Sequence, residues 1–289
     1  MKKNKTIQEI YSNHNGYVSD KWSIYLTEYN RLFMHLTESP IQLLEIGVQN
    51  GGSLEIWGQF FPKASCIIGC DINKECAKII YSDNRIKLVI GDINNIKTRN
   101  KIISYSKEFD IIIDDGSHTS SDIIKSFLTL FPLVVTHGIY VIEDLHCSYW
   151  KKFEGGLYAK KSSMNFLKAL ADIINYEHWG VVKSKTEFLS NFGICQTQEI
   201  EALLSEIHSI QFINSMCIIT KRVAEENTLG VRHVVGCQQL VAENKYANGT
   251  YSAPIPQDIC QSDLDHKTAT DLNARIAELE SSLAAADKK

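Results

Sequence analysis

Five short apolar runs, each ending on an acidic residue or a glycine, limit what this chain can fold into. They begin at residues 41, 66, 86, 109 and 138 and read IQLLEIG, CIIGCD, IKLVIGD, FDIIIDD and GIYVIED. They are rich in Ile, Leu and Val without strict alternation, which is typical of strands buried on both faces of a parallel sheet. Helix-like stretches separate the runs, and Ser53 and Thr119 are predicted as N-caps of two of them. This order predicts an α/β fold with a doubly wound, mostly parallel sheet.

Segments on either side of these runs complete the predicted domain. HSIQFINSMCIITKR, residues 208–222, reads as two strands joined by the polar pair Asn214–Ser215. That pattern indicates a terminal antiparallel hairpin and brings the sheet to seven strands. Ahead of the first run, SDKWSIYLTEYNRLFMHL is predicted as an aromatic-rich helix that covers the ligand end of the sheet.

The sequence changes character after residue 223. We predict an α/β domain with its helical cover over residues 1–223, a polar linker over 224–263 and a helical tail over 264–289. Leu272, Ile276, Leu279 and Leu283 form a coiled-coil-like seam on the tail. The seam fits a contact in a homo-oligomer and equally a helix docked on its own domain.

Composition excludes several classes of function. The 289 residues are 44% hydrophobic with a net charge of −4, so no basic surface for nucleic acid is expected. No apolar run reaches the roughly 18–20 residues of a membrane span, and the N-terminus lacks the apolar core of a signal peptide. We therefore expect a cytoplasmic protein. The eight cysteines include no CxxC pair, which favours reduced structural thiols over a zinc site.

A cofactor site is predicted at the carboxyl ends of the first strands, where open α/β sheets bind ligands. The glycines after the first run are spaced more widely than in GxGxxG, the pattern that favours a dinucleotide. Acids end the next strands, although acids at such positions also serve as helix caps. Acids at several strand ends, without a pattern that binds phosphate, favour an adenosyl ligand that carries no phosphate. S-adenosylmethionine is therefore preferred over NAD. The cofactor-binding candidates are Glu45, Gly47, Gly51, Ser53, Asp71, Asp92 and Asp114.

A reacting site is predicted at the ends of the fourth and fifth strands. Asp115, Glu143 and Asp144 would lie close together if these strands are neighbours, and their mutual repulsion would be relieved by a divalent cation. Oxygen ligands suit Mg²⁺, with Mn²⁺ or Ca²⁺ possible. The alternative is a set of separate caps and surface acids. His118, three residues after Asp115, is the candidate general base for a substrate hydroxyl.

Residues just beyond the fifth strand are candidates for contact with the substrate. His146 is a second possible base, or it hydrogen-bonds to a ligating carboxylate. Tyr149 and Trp150 would form a wall against a flat or sugar-like substrate, although packing in the core explains aromatic residues equally well.

The motifs EIGVQNGGSLEIW, CDI, IIIDDGSH and IEDLHCSYW occur in this order and resemble the metal-dependent sugar O-methyltransferases of the macrocin and mycinamicin type. DKWSIYLTEYNRLF is similar to the segment that precedes the first strand in that family. The resemblance covers roughly residues 19–150. It implies a class I methyltransferase fold, Mg²⁺ on Asp115, Glu143 and Asp144, a base at His118 and a glycosyl acceptor. Similar domains occur in bacterial surface-polysaccharide enzymes, so a fused or partner glycosyltransferase is a further possibility.

Two other functions remain open at this point. One is an NAD-dependent sugar oxidoreductase on the same sheet topology, which the wide glycine spacing disfavours. The other is an assembly module whose methyltransferase-like core carries the C-terminal helix. The first predicts NAD binding, and the second predicts that removing the tail abolishes association.

Overall fold

The computed structural model describes residues 5–257, and the predicted helical tail at 264–289 lies outside them. A seven-stranded sheet has the order β3-β2-β1-β4-β5-β7-β6. All neighbours pair in parallel except β5–β7 and β6–β7. This confirms the predicted α/β fold with its terminal hairpin. The strands are β1 Gln42–Ile46, β2 Cys66–Asp71, β3 Ile86–Ile90, β4 Phe109–Asp114, β5 Val134–Ile142, β6 Ile207–Ile213 and β7 Met216–Lys221.

Eight α-helices surround the sheet in the described part of the chain. None of them is long and apolar enough to cross a membrane. They are α1 Ile7–Ser12, α2 Ser23–Phe33, α3 Gly52–Phe60, α4 Ile96–Ile103, α5 Ser120–Leu130, α6 Ser163–Ile174, α7 Lys185–Phe188 and α8 Gln198–Ser205.

Three local predictions need correction or adjustment. Ser53 is not the N-cap of α3, because the helix begins at Gly52 and its N-cap is Gly51, whose φ of 89° suits glycine. Thr119 does occupy the N-cap position of α5, but its side chain makes no capping hydrogen bond. β5 begins at Val134, ahead of the predicted run, and its pairing with β4 shifts register there.

The predicted cover helix, residues 19–36, is helical only from Ser23 onward. The preceding residues, 13–22, form an irregular segment, and residues 18–22 line the main cavity at the end of the sheet. We call residues 13–22 the strap. An N-terminal segment therefore does cover the cavity, as predicted. The residues that line the cavity, however, belong to the strap and not to the helix α2.

Alternate residues of the strands pack on opposite faces of the sheet. Ile111 and Ile113 belong to the core that includes Phe33 of α2 and Trp57 and Phe60 of α3. On the other face Tyr140 meets Phe127 of α5 edge-on. Both faces are therefore covered, which explains why the strands read as continuous apolar runs.

The chain divides into two compact units. The first comprises residues 5–175 and 184–228 of the described chain and contains the whole sheet. The second comprises residues 176–183 and 229–257, and is held by an isolated bridge between Val231 and Tyr251 and by a hydrogen bond from Gln257 N to Gly180 O. The predicted linker at 224–263 falls largely within the second unit.

Candidate active site

Two adjoining cavities lie at the carboxyl ends of the central strands. The sheet order reverses between β1 and β4, which is where open α/β sheets bind ligands. The larger cavity, about 430 Å³, is bounded by the strap, the β1 loop and the acids after β4 and β5. The smaller, about 220 Å³, lies over the ends of β2, β3 and β4. Gly47, Asp71 and Gly116 line both, so the two cavities form one continuous groove.

The loop after β1 passes so close to β4 that only glycine fits at its start. Gly47 has a φ of 88°, and a Cβ there would lie 2.0 Å from the carbonyl oxygen of Asp115. Asp71 holds the same loop from the side of β2, because its Oδ2 accepts hydrogen bonds from Val48 N and Gln49 N at 2.8 and 2.9 Å. The predicted cofactor residues Gly47 and Asp71 are thus neighbours in the groove.

The smaller cavity combines apolar and acidic walls. Ile72 and Ile93 give it apolar surface, and Asp92 and Asp114 line it as well. An apolar slot with carboxylates at its edge suits a flat base and its ribose. Burial raises the pKa of Asp114 to about 7, so this side chain can be protonated near neutral pH and donate a hydrogen bond.

Three predicted cofactor residues have structural contacts of their own. Glu45 is fully buried, and its Oε2 accepts hydrogen bonds from Ser53 Oγ at 2.7 Å and Trp57 Nε1 at 3.2 Å. Gly51 accepts a hydrogen bond from the hydroxyl of Tyr81. Of these three, only Ser53 lines the larger cavity, and neither Glu45 nor Gly51 lines either cavity among the described residues.

Lys21 of the strap lies among three carboxylates at the base of the larger cavity. Its Nζ is 2.6 Å from Asp115 Oδ2, 2.7 Å from Glu143 Oε1 and 3.2 Å from Glu45 Oε1, and its side chain is only 5% exposed. Burial alone would lower the pKa of Lys21, but the charges of Glu143, Glu45 and Asp115 raise it well above its usual value. The ammonium group is therefore a permanent positive charge in the site.

One ammonium group cannot neutralise three acids. Burial raises the pKa of Glu143 to about 8 despite the neighbouring Lys21, and it raises the pKa of Glu45 as well. The hydroxyl of Tyr29 adds a short hydrogen bond to Glu143 Oε1. The same oxygen of Glu143 thus accepts from both Lys21 and Tyr29.

A second cluster lies further out and contains the predicted base. His118 Nε2 is 3.9 Å from Asp115 Oδ1 and 3.8 Å from Asp144 Oδ2. Both distances exceed that of a direct hydrogen bond, so the ring is not hydrogen-bonded directly to either acid. A ligand atom from each of these three residues lies within 4.8 Å of the others, and the same is true of Glu45, Asp115 and Glu143, so the described residues form two candidate ion sites that share Asp115. We call Asp115, His118 and Asp144 the outer group.

Asp144 is fixed by the N-terminal residues. Its Oδ1 accepts hydrogen bonds from Trp22 Nε1 at 3.0 Å and from the hydroxyl of Tyr25 at 2.9 Å. Its backbone is in the left-handed region, with φ of 55°. Gln49 and His118 in the same cavity wall also have positive φ. Such conformations are costly for residues with a side chain and cluster at functional sites.

Two of the three predicted substrate residues, His146 and Trp150, form part of an aromatic wall that continues to His118. His146 packs edge-on against Trp22 and Trp150, with ring centroids 6.0 and 5.0 Å apart. Trp150 continues to Phe153, whose ring is 6.4 Å from that of His118. Trp22, Tyr149 and Trp150 are 59%, 41% and 52% exposed, so they offer apolar surface to a ligand.

The prediction from sequence missed the contribution of the strap and α2. Lys21, Trp22, Tyr25 and Tyr29 all reach the acids, although none was named as a site residue. One signal was present, because Tyr25 and Tyr29 are four residues apart and share one face of a helix.

Comparison with known proteins agrees with this geometry. Residues 44–145 match the sequence model of a methyltransferase domain family. This part of the chain therefore resembles a methyltransferase domain. It is 33% identical over 171 residues to the 8-demethyl-8-alpha-L-rhamnosyl tetracenomycin-C 2'-O-methyltransferase of Streptomyces olivaceus, covering 56% of this chain and 44% of that protein.

Two further methyltransferases are similar to this chain. The mycinamicin VI 2''-O-methyltransferase of Micromonospora griseorubida is 36% identical over 159 residues, which are 52% of this chain and 39% of that protein. The structure of MycE methyltransferase from the mycinamycin pathway, in complex with Mg, SAH and mycinamycin VI, superposes with a TM-score of 0.61 at 27% identity. The match covers 78% of this chain and 55% of that one. The chain thus spans less than half the length of these curated relatives.

These matches confirm the resemblance to the macrocin and mycinamicin type of sugar O-methyltransferase. They also confirm the class I methyltransferase fold, because the superposition extends beyond the sequence match to 78% of the chain.

Proposed function

We propose that this chain is an S-adenosylmethionine-dependent O-methyltransferase that methylates a sugar hydroxyl with the help of a divalent cation. The observation that carries the proposal is the outer group, in which His118 Nε2 faces the carboxylates of Asp115 and Asp144 at 3.9 and 3.8 Å. This group borders a groove whose other end suits an adenosyl ligand.

The groove supports the cofactor assignment. In this proposal, Asp71 binds the ribose hydroxyls, and Asp92 with Asp114 binds the edge of the base in the smaller cavity. The backbone at Gly47 lies against the methionine part, since no side chain can occupy that position. The relatives are methyltransferases, and the MycE complex contains SAH, the product of this cofactor.

The divalent cation is proposed on the acids after β4 and β5, namely Asp115, Glu143 and Asp144. Mg²⁺ is the first choice because it accepts oxygen ligands together with water, and the MycE complex contains Mg. Mn²⁺ and Ca²⁺ have the same ligand preference.

The reaction follows from the positions of His118 and the acids. When bound, the sulfonium cofactor supplies an electrophilic methyl group, and the divalent cation would make an acceptor hydroxyl more acidic. His118 takes the hydroxyl proton at Nε2 while the acceptor oxygen forms its bond to the methyl carbon and the methyl–sulfur bond breaks. The proton then passes from His118 to water.

The acceptor class is inferred from the relatives and from the aromatic wall. The relatives are named for the methylation of rhamnosyl and mycinamicin compounds, which are glycosylated natural products. In this proposal, Trp150, Tyr149 and His146 lie against one face of a sugar while its hydroxyls point toward the outer group. We therefore favour a natural-product glycoside over a surface polysaccharide.

Methyl transfer from labelled S-adenosylmethionine to a panel of rhamnosides and macrolide glycosides tests the proposal. Calorimetry with SAH and with NAD accompanies it. We expect SAH binding, no NAD binding, and transfer that EDTA abolishes and Mg²⁺ restores. Failure to bind SAH would refute the methyltransferase assignment, whereas transfer that EDTA does not affect would refute only the role of the metal.

A further inference from the structure

A basic loop follows the aromatic wall along the chain. Residues 151–161, between Trp150 and α6, read KKFEGGLYAKK and contain four lysines and one glutamate, in a chain whose net charge is −4. We call residues 151–161 the basic loop. Its lysines are all exposed and stand in two pairs, Lys151 with Lys152 and Lys160 with Lys161. The charge of the loop is therefore opposite in sign to that of the acids around His118.

The one acid of the basic loop is engaged with a helix. Glu154 Oε2 accepts a hydrogen bond from Ser121 N at 3.0 Å, in the first turn of α5, where the side chain of Thr119 provides no cap. In the described part of the chain, the lysines that form ion pairs with acids are Lys21, Lys78, Lys185 and Lys221. The two lysine pairs of the basic loop thus keep their charge available to a ligand.

The backbone of the basic loop is folded back on the residues before it. Gly156 N donates to Ser148 O at 2.9 Å, and a Cβ at Gly155 would lie 2.2 Å from the same carbonyl oxygen, so only glycine fits there. Further along, Asn165 Nδ2 of α6 donates to Ala159 O at 2.8 Å. Because the backbone is held at both ends, less order has to be imposed on it when a ligand binds.

Phe153 links the basic loop to the proposed base. Its ring centroid is 6.4 Å from that of His118, and Lys152 Nζ lies 5.4 Å from the centroid of the same Phe153 ring. The ring of Trp150 adjoins Phe153 at 6.1 Å. The first lysine pair thus lies one aromatic ring away from His118, on the side of the site where the aromatic wall continues.

We propose that the basic loop binds an anionic group of the acceptor, a phosphate or carboxylate that lies beyond the sugar whose hydroxyl is methylated. The inference rests on the proposed function and narrows its acceptor to glycosides that carry negative charge. Lysine ammonium groups bind such anions as point charges, and several together suit a phosphate ester, whose charge is about −1.5 to −2 near pH 7. The acids around His118 repel the same anion, so the two charged regions orient the acceptor with its sugar at His118 and its anion at the basic loop.

Calorimetric binding of matched aryl rhamnosides to the full-length protein saturated with SAH tests the inference. 4-Carboxyphenyl rhamnoside is compared with the neutral 4-carbamoylphenyl rhamnoside, and the 4-phosphate of hydroxyphenyl rhamnoside with the unphosphorylated compound. Two double variants each remove two charges from the loop: Lys151→Gln with Lys152→Gln, and Lys160→Gln with Lys161→Gln.

A third double variant is the matched control. Lys101→Gln with Lys107→Gln removes the same charge from two exposed lysines, one in the last turn of α4 and one just before β4, that line neither of the two cavities. It separates an effect of the basic loop from an effect of net charge.

We expect wild type to bind each anionic rhamnoside about tenfold or more tightly than its neutral counterpart, and this preference should decline as salt is added. The two loop variants should lose most of the preference while their affinities for SAH and for the neutral rhamnosides stay unchanged, and the control should retain it. Whichever anion gains more affinity identifies the group that the loop binds. For rhamnosides that are methylated, the loop variants should raise KM for the anionic member and leave kcat unchanged.

Two results would overturn the inference while leaving the proposed function intact. One is that wild type in complex with SAH binds anionic and neutral rhamnosides alike, absence of binding of both included. The other is a preference for the anion that both loop variants retain. Failure of wild type to bind SAH is the separate result that would refute the proposed function itself.

Discussion

Tyr25 holds Asp144 through both its backbone and its side chain. Its hydroxyl accepts a hydrogen bond from Asp144 N at 3.0 Å and lies 2.9 Å from Asp144 Oδ1. The same hydroxyl is 2.9 Å from the carbonyl oxygen of Ser215 in the β6–β7 turn. A residue of α2 thus links an acid of the outer group to the terminal hairpin.

Replacing Tyr25 by Phe should free Asp144 from this arrangement. The variant leaves the partly buried N–H of Asp144 without its acceptor, which costs about 1 kcal/mol in the free energy of unfolding. We expect the rate of methyl transfer to fall by roughly tenfold or more, because a displaced Asp144 would no longer hold the reacting groups in the geometry that the transfer requires. Urea denaturation and steady-state kinetics measure the two effects. Tyr105→Phe, at a tyrosine outside both cavities, is the control, and an equal change in both variants would contradict the assignment.

His118→Ala tests the proposed base. If His118 accepts the substrate proton, the variant should lose about 10²-fold or more in turnover while SAH affinity is retained. His35→Ala, at an exposed histidine after α2, should behave as wild type. Turnover close to wild type in His118→Ala would dismiss the role.

Asp71→Ala tests the cofactor end of the groove. Asp71 supports the loop after β1 and is the proposed ribose ligand, so its removal should weaken SAH binding by about 10²-fold, as expected for two hydrogen bonds to a charged group. Asp110→Ala provides a matched comparison, since Asp110 also accepts from a backbone amide, Gln42 N, but at the start of its strand. Calorimetry should show normal SAH affinity for Asp110→Ala, and equal losses in both variants would indicate a general structural effect.

Asp83 should make stability depend on pH. Hydrogen bonds from Arg85 lower the pKa of Asp83 below its ordinary value, and Arg85 in turn donates to Phe61 O and Gly58 O. A lowered folded-state pKa contributes stability above the unfolded pKa of about 3.9, and this contribution is lost as pH falls through the folded value. Asp83→Asn should therefore cost about 1 kcal/mol at pH 7, a value reduced for partial exposure. The difference from wild type should shrink in denaturation experiments toward pH 3, and a constant difference would contradict the pairing.

The cysteines should separate into two classes of reactivity. Cys195 and Cys237 are exposed, whereas Cys70 and Cys217 are buried. Burial raises the pKa of Cys70 to about 12 and also raises that of Cys217, so neither forms thiolate readily. In a Cys260→Ser background, a thiol reagent should label Cys195 and Cys237 rapidly in the native protein and the buried cysteines only after unfolding. Rapid labelling of Cys70 would show that the strand ends open.

The prediction succeeded where local pattern decides structure. Strands buried on both faces must be apolar throughout, so β1 to β5 were visible as runs, and the acids after them had to meet at one edge of a parallel sheet. The same reasoning placed Asp115 and Asp144 beside His118. It also placed Asp71 and Asp92 beside the groove, because Asp71 is the last residue of β2 and Asp92 comes just after the end of β3.

Ser53 and Glu45 show where local reasoning stopped. Ser53 was assigned as an N-cap from its residue type, but its hydroxyl bonds to Glu45 inside the core. Both residues are also predicted to bind the cofactor, and in the structure Ser53 lines the larger cavity whereas Glu45 is buried and lines neither of the two cavities. The partner of a side chain depends on which elements pack against it in the folded domain, and the type of the residue does not indicate that partner.

The acid cluster between Ile111 and Trp150 lies at the ends of β4 and β5. The sequence by itself determined which acids gather there, since their positions follow from strand order. Only the tertiary structure decided which oxygens remain available to a ligand, because Lys21 reaches Asp115 and Glu143 across 94 and 122 residues of chain. No helical or strand periodicity of the sequence predicts the contact of Lys21 with these acids. It depends on an irregular strap whose course is fixed by packing and hydrogen bonds that form only when the whole domain has folded.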